Sequence, residues 1–115
     1  MKLFFQAINT FESPFTDENY NNLGTYKSLS IDGNKYSIKL KGFKKWYEKS
    51  NQYDPYYCME DFNPEGIEEW IEQGYEYAVL IEEMLPDNIE MYYGFIKFIA
   101  NDWRTCYTKI QGKKV

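Results

Sequence analysis

Apolar and polar positions recur along the chain with two different periods, and the switches between them mark its elements. Residues 2–8 contain Leu3, Phe4, Phe5, Ala7 and Ile8, a run too apolar for an exposed edge, and read as a strand inside a sheet. The polar residues 9–24, with Pro14 and the pair Asn21-Asn22, read as a long connecting loop, with a short helix within 16–23 as the alternative. Residues 25–31 and 35–40 each alternate in period two around Asp32-Gly33-Asn34. That arrangement is a strong hairpin signal, because the turn needs positive φ at its centre. Residues 42–50 space Phe43, Trp46 and Tyr47 as one or two helical turns would, and residues 51–62 carry aromatic side chains without any period and read as loop.

The clearest element comes next. Asn63 suits an N-cap, Pro64 the first helical position, and acidic residues fill the first turn of a helix that runs to about Leu85 before Pro86 stops it. Steps of about 100° per residue put Ile67, Trp70, Ile71, Gly74, Tyr75, Ala78, Ile81 and Leu85 on one face. Glu65, Glu68, Glu69, Glu72, Glu76 and Glu83 fall opposite. Tyr77, Leu80 and Met84 lie on one flank and Val79 on the other, so either the helix is buried over a wide arc or this flank is an apolar patch rimmed by carboxylates. Past the turn at 86–88, residues 89–99 suit a central strand, residues 100–102 a hairpin turn, and residues 103–110 a last strand. The order predicts an α+β fold: an antiparallel or mixed sheet of about five strands, with one long amphipathic helix over about 63–85 packed on one face. No stretch rich in Pro, Gly or Ser divides residues 1–115, which read as a single domain.

Composition adds a large aromatic supply. Twenty-three of 115 residues are Phe, Trp or Tyr, enough to build a core without disulfides or metal. No run of about 18 apolar residues exists, and the N-terminus lacks a signal-peptide h-region, so the expected location is cytoplasmic. The net charge of −5 is unevenly distributed. Residues 1–50 sum to +3 and residues 91–115 to +4, while residues 51–90 hold twelve acidic side chains and no basic one. Such asymmetry bears on association more than on fold.

The chain contains no histidine, which removes the usual general base and the side chain that titrates near neutrality. Cys58 and Cys106 have no CxxC spacing and no histidine to complete a zinc set, so two reduced thiols are expected rather than a metal site. The glycines are scattered singly and make no phosphate cradle. These absences point away from an enzyme and away from any cofactor.

Two constellations remain. On the helix, Glu65–Glu69, Glu68–Glu72 and Glu72–Glu76 are like-charge i,i+4 pairs, each costing about 0.2–0.5 kcal/mol in an isolated helix. Either basic residues such as Lys41, Lys44, Lys45 or Arg104 neutralise them within the fold, or they face a cationic partner whose encounter they steer. Tyr53, Tyr56, Tyr57, Tyr77 and Leu80 would then supply the apolar contacts of that interface, and the same flank would serve a homodimer. Separately, residues 35–47 interleave lysines with Tyr36, Phe43, Trp46 and Tyr47 as single-strand binders do, although an acidic chain opposes approach to a polyanion.

The helix ending in Leu85-Pro86-Asp87-Asn88-Ile89-Glu90 and leading into Met91-Tyr92-Tyr93 resembles helix-to-strand units in small immunity proteins of bacterial polymorphic toxin systems. The likeness covers residues 66–98, about a third of the chain, and no signature motif carries over. It implies a small acidic cytosolic α+β inhibitor of a basic toxin. Phage anti-defence proteins, anti-CRISPRs and DNA mimics among them, are similar in size and charge and supply the alternative expectation. A small nucleic-acid-binding module using residues 35–47 is a further one.

Overall fold

The computed structural model describes residues 1–6, 13–52, 66–99 and 102–110. Its main sheet has four strands in the order β2 (Phe15–Thr16), β1 (Lys2–Gln6), β5 (Glu90–Ile99), β6 (Asp102–Lys109). The apolar β1 is an interior strand, antiparallel to β2 and parallel to β5, and β5 is antiparallel to β6. The sheet is therefore mixed. A separate two-stranded sheet pairs β3 (Ser28–Ile31) with β4 (Asn34–Ser37). Its turn residues Asp32 and Gly33 have φ of 51° and 81°, the left-handed pair that a tight two-residue hairpin turn requires. The helices are α1 (Phe43–Glu48), continued by a 3-10 turn at Lys49–Gln52, and α2 (Ile67–Glu83).

Three expectations change. The β3–β4 hairpin forms its own sheet, because alternation marks strands without specifying which strand they pair with. The stretch expected as loop contains β2, a two-residue strand too short to show a period. The long helix starts at Ile67, with Gly66 at the N-cap and no side-chain cap bond, rather than at Asn63-Pro64. Residues 7–12, 53–65, 100–101 and 111–115 lie outside the described residues, and with them Asn63, Pro64 and the expected loop tyrosines.

Register divides the sheet into two faces. Leu3 pairs with Met91 and Phe5 with Tyr93, and all four are buried. The Phe5 ring lies 5.4–5.9 Å from those of Phe15, Phe43, Trp46 and Tyr93. Trp46 of α1 stacks on Trp70 of α2 at 5.0 Å, and each indole N–H donates to the other residue's carbonyl oxygen, at 2.7 and 2.9 Å. Two large rings are thereby buried with no orphaned donor. Helix α2 meets β5 where the Tyr93 hydroxyl donates to the Ile71 carbonyl at 2.9 Å, and burial pushes the pKa of that phenol well above its ordinary value. Gly74 makes the approach possible, since a Cβ there would overlap the Tyr93 hydroxyl and the Trp46 ring.

Candidate protein-binding face

Helix α2 turns Ile67, Trp70, Gly74, Ala78 and Ile81 inward, as the helical period requires, and Leu85 beyond its C-cap is buried with them. Opposite, Glu68, Glu69, Glu72, Glu76 and Glu83 are all exposed. Their fixed spacing puts carboxylates one turn apart along a single stripe. Two ion pairs occur among the described residues, Lys44–Glu48 at 3.8 Å and Lys109–Glu90 at 3.6 Å, and neither includes these five glutamates. Lys41 and Lys45 are exposed and pair with none of them. Negative charge thus remains on this face without internal neutralisation among the described residues. Glu82 is buried at the inner edge of the helix and is not part of the stripe.

The flank divides. Tyr77 is 7% exposed, its ring meets Phe43 and Trp46 edge-on, and its hydroxyl donates to the Lys41 carbonyl at 2.8 Å. It ties α2 to the entry of α1, so its expected role as a partner contact gives way to a place in the core. Leu80 and Met84, by contrast, are 47% and 39% exposed. One turn of helix separates them, with Glu76 and Glu83 alongside. Tyr75, expected on the inner face, is 43% exposed and meets Tyr93 edge-on at 6.3 Å. Glu65, Tyr53, Tyr56 and Tyr57 lie outside the described residues.

The basic run contributes to a different feature. Lys39, Lys41 and Lys44 join Lys27 around a cavity of about 360 Å³ whose apolar lining includes Tyr26, Ile38, Leu40 and Phe43. The ammonium groups of Lys27 and Lys44 each lie 5.8 Å from the centre of the Tyr26 ring. Sequence reasoning identified these lysines except Lys27, which precedes the hairpin and reaches the site only through the fold.

Cys106 carries a free, half-buried thiol. Among the described residues no three His, Cys, Asp or Glu side chains gather as a metal set, and no helix is long and apolar enough to cross a membrane. No family model matches the chain, and no curated protein or solved structure matches it at a significant level.

Proposed function

We propose that this chain is a small inhibitory binding protein, an immunity protein in its leading form, that presents the acidic face of α2 to a basic protein partner. The observation that carries the reading is the stripe Glu68, Glu69, Glu72, Glu76 and Glu83, exposed and without a cationic partner among the described residues. A folded chain gains nothing in stability from like charges one turn apart. Steering of an oppositely charged protein gives the arrangement a use. Leu80 and Met84 beside the stripe supply apolar area that desolvates on contact, and Tyr75 adds an exposed aromatic ring.

The test exchanges Glu68, Glu72 and Glu76 for lysine together. All three are exposed, so the circular dichroism spectrum of the folded protein should not change. A pull-down from the source organism should recover a basic protein with the natural chain, and the association rate of that protein with the variant should fall at least about tenfold at low salt. An unchanged rate ends the proposal. If the captured protein is a toxin encoded beside this chain, the role is immunity. A defence nuclease would make it the anti-defence protein instead, with carboxylates standing where phosphates would lie. Salt-dependent binding of single-stranded RNA through Lys39, Lys41 and Lys44 would replace both with the nucleic-acid reading.

A further inference from the structure

The sheet face turned away from α2 carries a second cavity, of about 170 Å³, lined by Phe4, Gln6 and Tyr107 from the strands and by Asp17, Glu18 and Tyr20 from the loop after β2. Strand register builds its floor. Gln6, Gly94 and Tyr107 stand opposite one another in one row across β1, β5 and β6. A Cβ on Gly94 would come within 2.8 Å of both Gln6 Oε1 and the Tyr107 ring, so the bare backbone in the middle of the row lets its two outer members meet. The Tyr107 hydroxyl donates to Gln6 Oε1 at 3.1 Å.

Gln6 is 1% exposed, and the other end of its carboxamide has no hydrogen-bond partner among the described residues. A buried polar group left in this state calls for a ligand or water that completes it. The surroundings specify the ligand. Phe4 packs against the edge of Tyr107 at 5.4 Å, and Tyr20, 69% exposed at the mouth, is held at a φ of 63° that non-glycine residues rarely adopt. Aromatic faces attract cations. Among the described residues, the charged side chains in the lining are the carboxylates of Asp17 and Glu18. Asp17 already accepts from the Asn21 side chain and from the backbone N–H groups of Asn19 and Asn21, which hold its carboxyl below the ordinary carboxylate range. It contributes a standing negative field, and Glu18 is the carboxylate open to contact. The volume is below the roughly 300–1,000 Å³ of sites for whole small molecules, and suits one side chain.

We propose that this cavity receives a single arginine side chain from a partner protein, its guanidinium lying against Tyr20 and Tyr107 and facing Glu18. Arginine fits better than lysine because a flat guanidinium stacks on aromatic rings and pairs with a carboxylate through two N–H groups at once. The end of the Gln6 carboxamide that has no partner among the described residues completes the set. A tyrosine hydroxyl can donate or accept, so the carboxamide can offer either its oxygen to a guanidinium N–H or its NH₂ to the adjoining peptide carbonyl. The site shares no residue with the acidic face of α2, and its test requires no knowledge of the natural partner.

The ¹⁵N-labelled full chain would be titrated by NMR with N-acetylarginine amide, and in parallel with the lysine and glutamate amides. The Gln6 side-chain NH₂ and the Tyr107 amide should shift saturably with the arginine compound, at about millimolar affinity for so small a contact. Lysine should bind about threefold more weakly or worse, and glutamate should move neither resonance. Tyr20→Asn, which removes the ring but suits the positive φ, and Glu18→Gln should each weaken arginine binding about fivefold or more. The Glu18 side chain is exposed, so the thermal midpoint of Glu18→Gln should not move. Absence of shifts, equal shifts with glutamate, equal affinity for lysine, or arginine binding untouched in both variants would each overturn the assignment.

Discussion

Gly74 lacks a side chain because there is no room for one. Its Cα faces the Tyr93 hydroxyl and the Trp46 ring, both on residues that are 1–2% exposed and held by neighbouring rings. Gly74→Ala brings two opposed effects: alanine favours the helix by about 1 kcal/mol, while a methyl group forced into a filled core costs about 1–3 kcal/mol. Here the overlap is with rigid rings and with a hydrogen-bonded hydroxyl, so the steric effect wins. The variant should lose about 1–2 kcal/mol in urea denaturation, with the Tyr93 to Ile71 bond disturbed first. A rise in stability would show that the rings yield. Periodicity alone puts Gly74 on the buried face, yet the reason for its size comes from residues 19 and 28 positions away, beyond the reach of any local pattern. Tyr77 and Tyr75 teach the same lesson in opposite directions. The α1 helix stands against the Tyr77 flank and buries it, whereas Tyr75 leans outward across Tyr93.

At the scale of elements, α2 is where stability and proposed function conflict. Glu72 has Glu68 one turn before it and Glu76 one turn after. Glu72→Lys turns two repulsive i,i+4 pairs into attractive ones, and with about 0.2–0.5 kcal/mol per pair in each sense the change should stabilise the fold by about 1 kcal/mol. The urea midpoint should rise at low salt, and the gain should fade near 1 M salt, where the Debye length is about 3 Å. No gain at low salt would mean that an unseen cation already balances the stripe. The helix, the Asp32-Gly33 hairpin, the interior β1 and the central β5 were legible because each carries its own period, turn chemistry or apolar length. The start of α2 was not, since Asn63-Pro64 carries the usual chemistry of a helix beginning, whereas the N-cap is Gly66, in a left-handed conformation and without a side-chain cap bond. Strand β2 and the separation of the hairpin from the main sheet were hidden for a different reason. Pairing partners are set by the whole packing, and alternation says nothing about them.

Over the whole molecule, charge and apolar area should govern different stages of association. The acidic excess of residues 51–90 was plain from composition, and the fold leaves Glu68, Glu69, Glu72, Glu76 and Glu83 of α2 open to solvent while burying Glu82. The cavity on the opposite sheet face was not legible, because Gln6, Gly94 and Tyr107 come together only through register across three strands. A field from exposed glutamates acts before contact and is screened over about 10 Å at 0.1 M ionic strength. Leu80 and Met84 act only after contact, once water has left the interface. Raising salt from about 20 mM to 500 mM should therefore slow association with a basic partner about tenfold or more and leave dissociation nearly unchanged. Leu80→Ser together with Met84→Ser should do the reverse, hastening dissociation while association holds, since affinity differences within one interface reside mostly in the dissociation rate. Stopped-flow or surface-based kinetics on the two perturbations separate the contributions. If salt changed only dissociation, the glutamates would be contacts rather than a steering field, and the exposed stripe on α2 would need a different explanation.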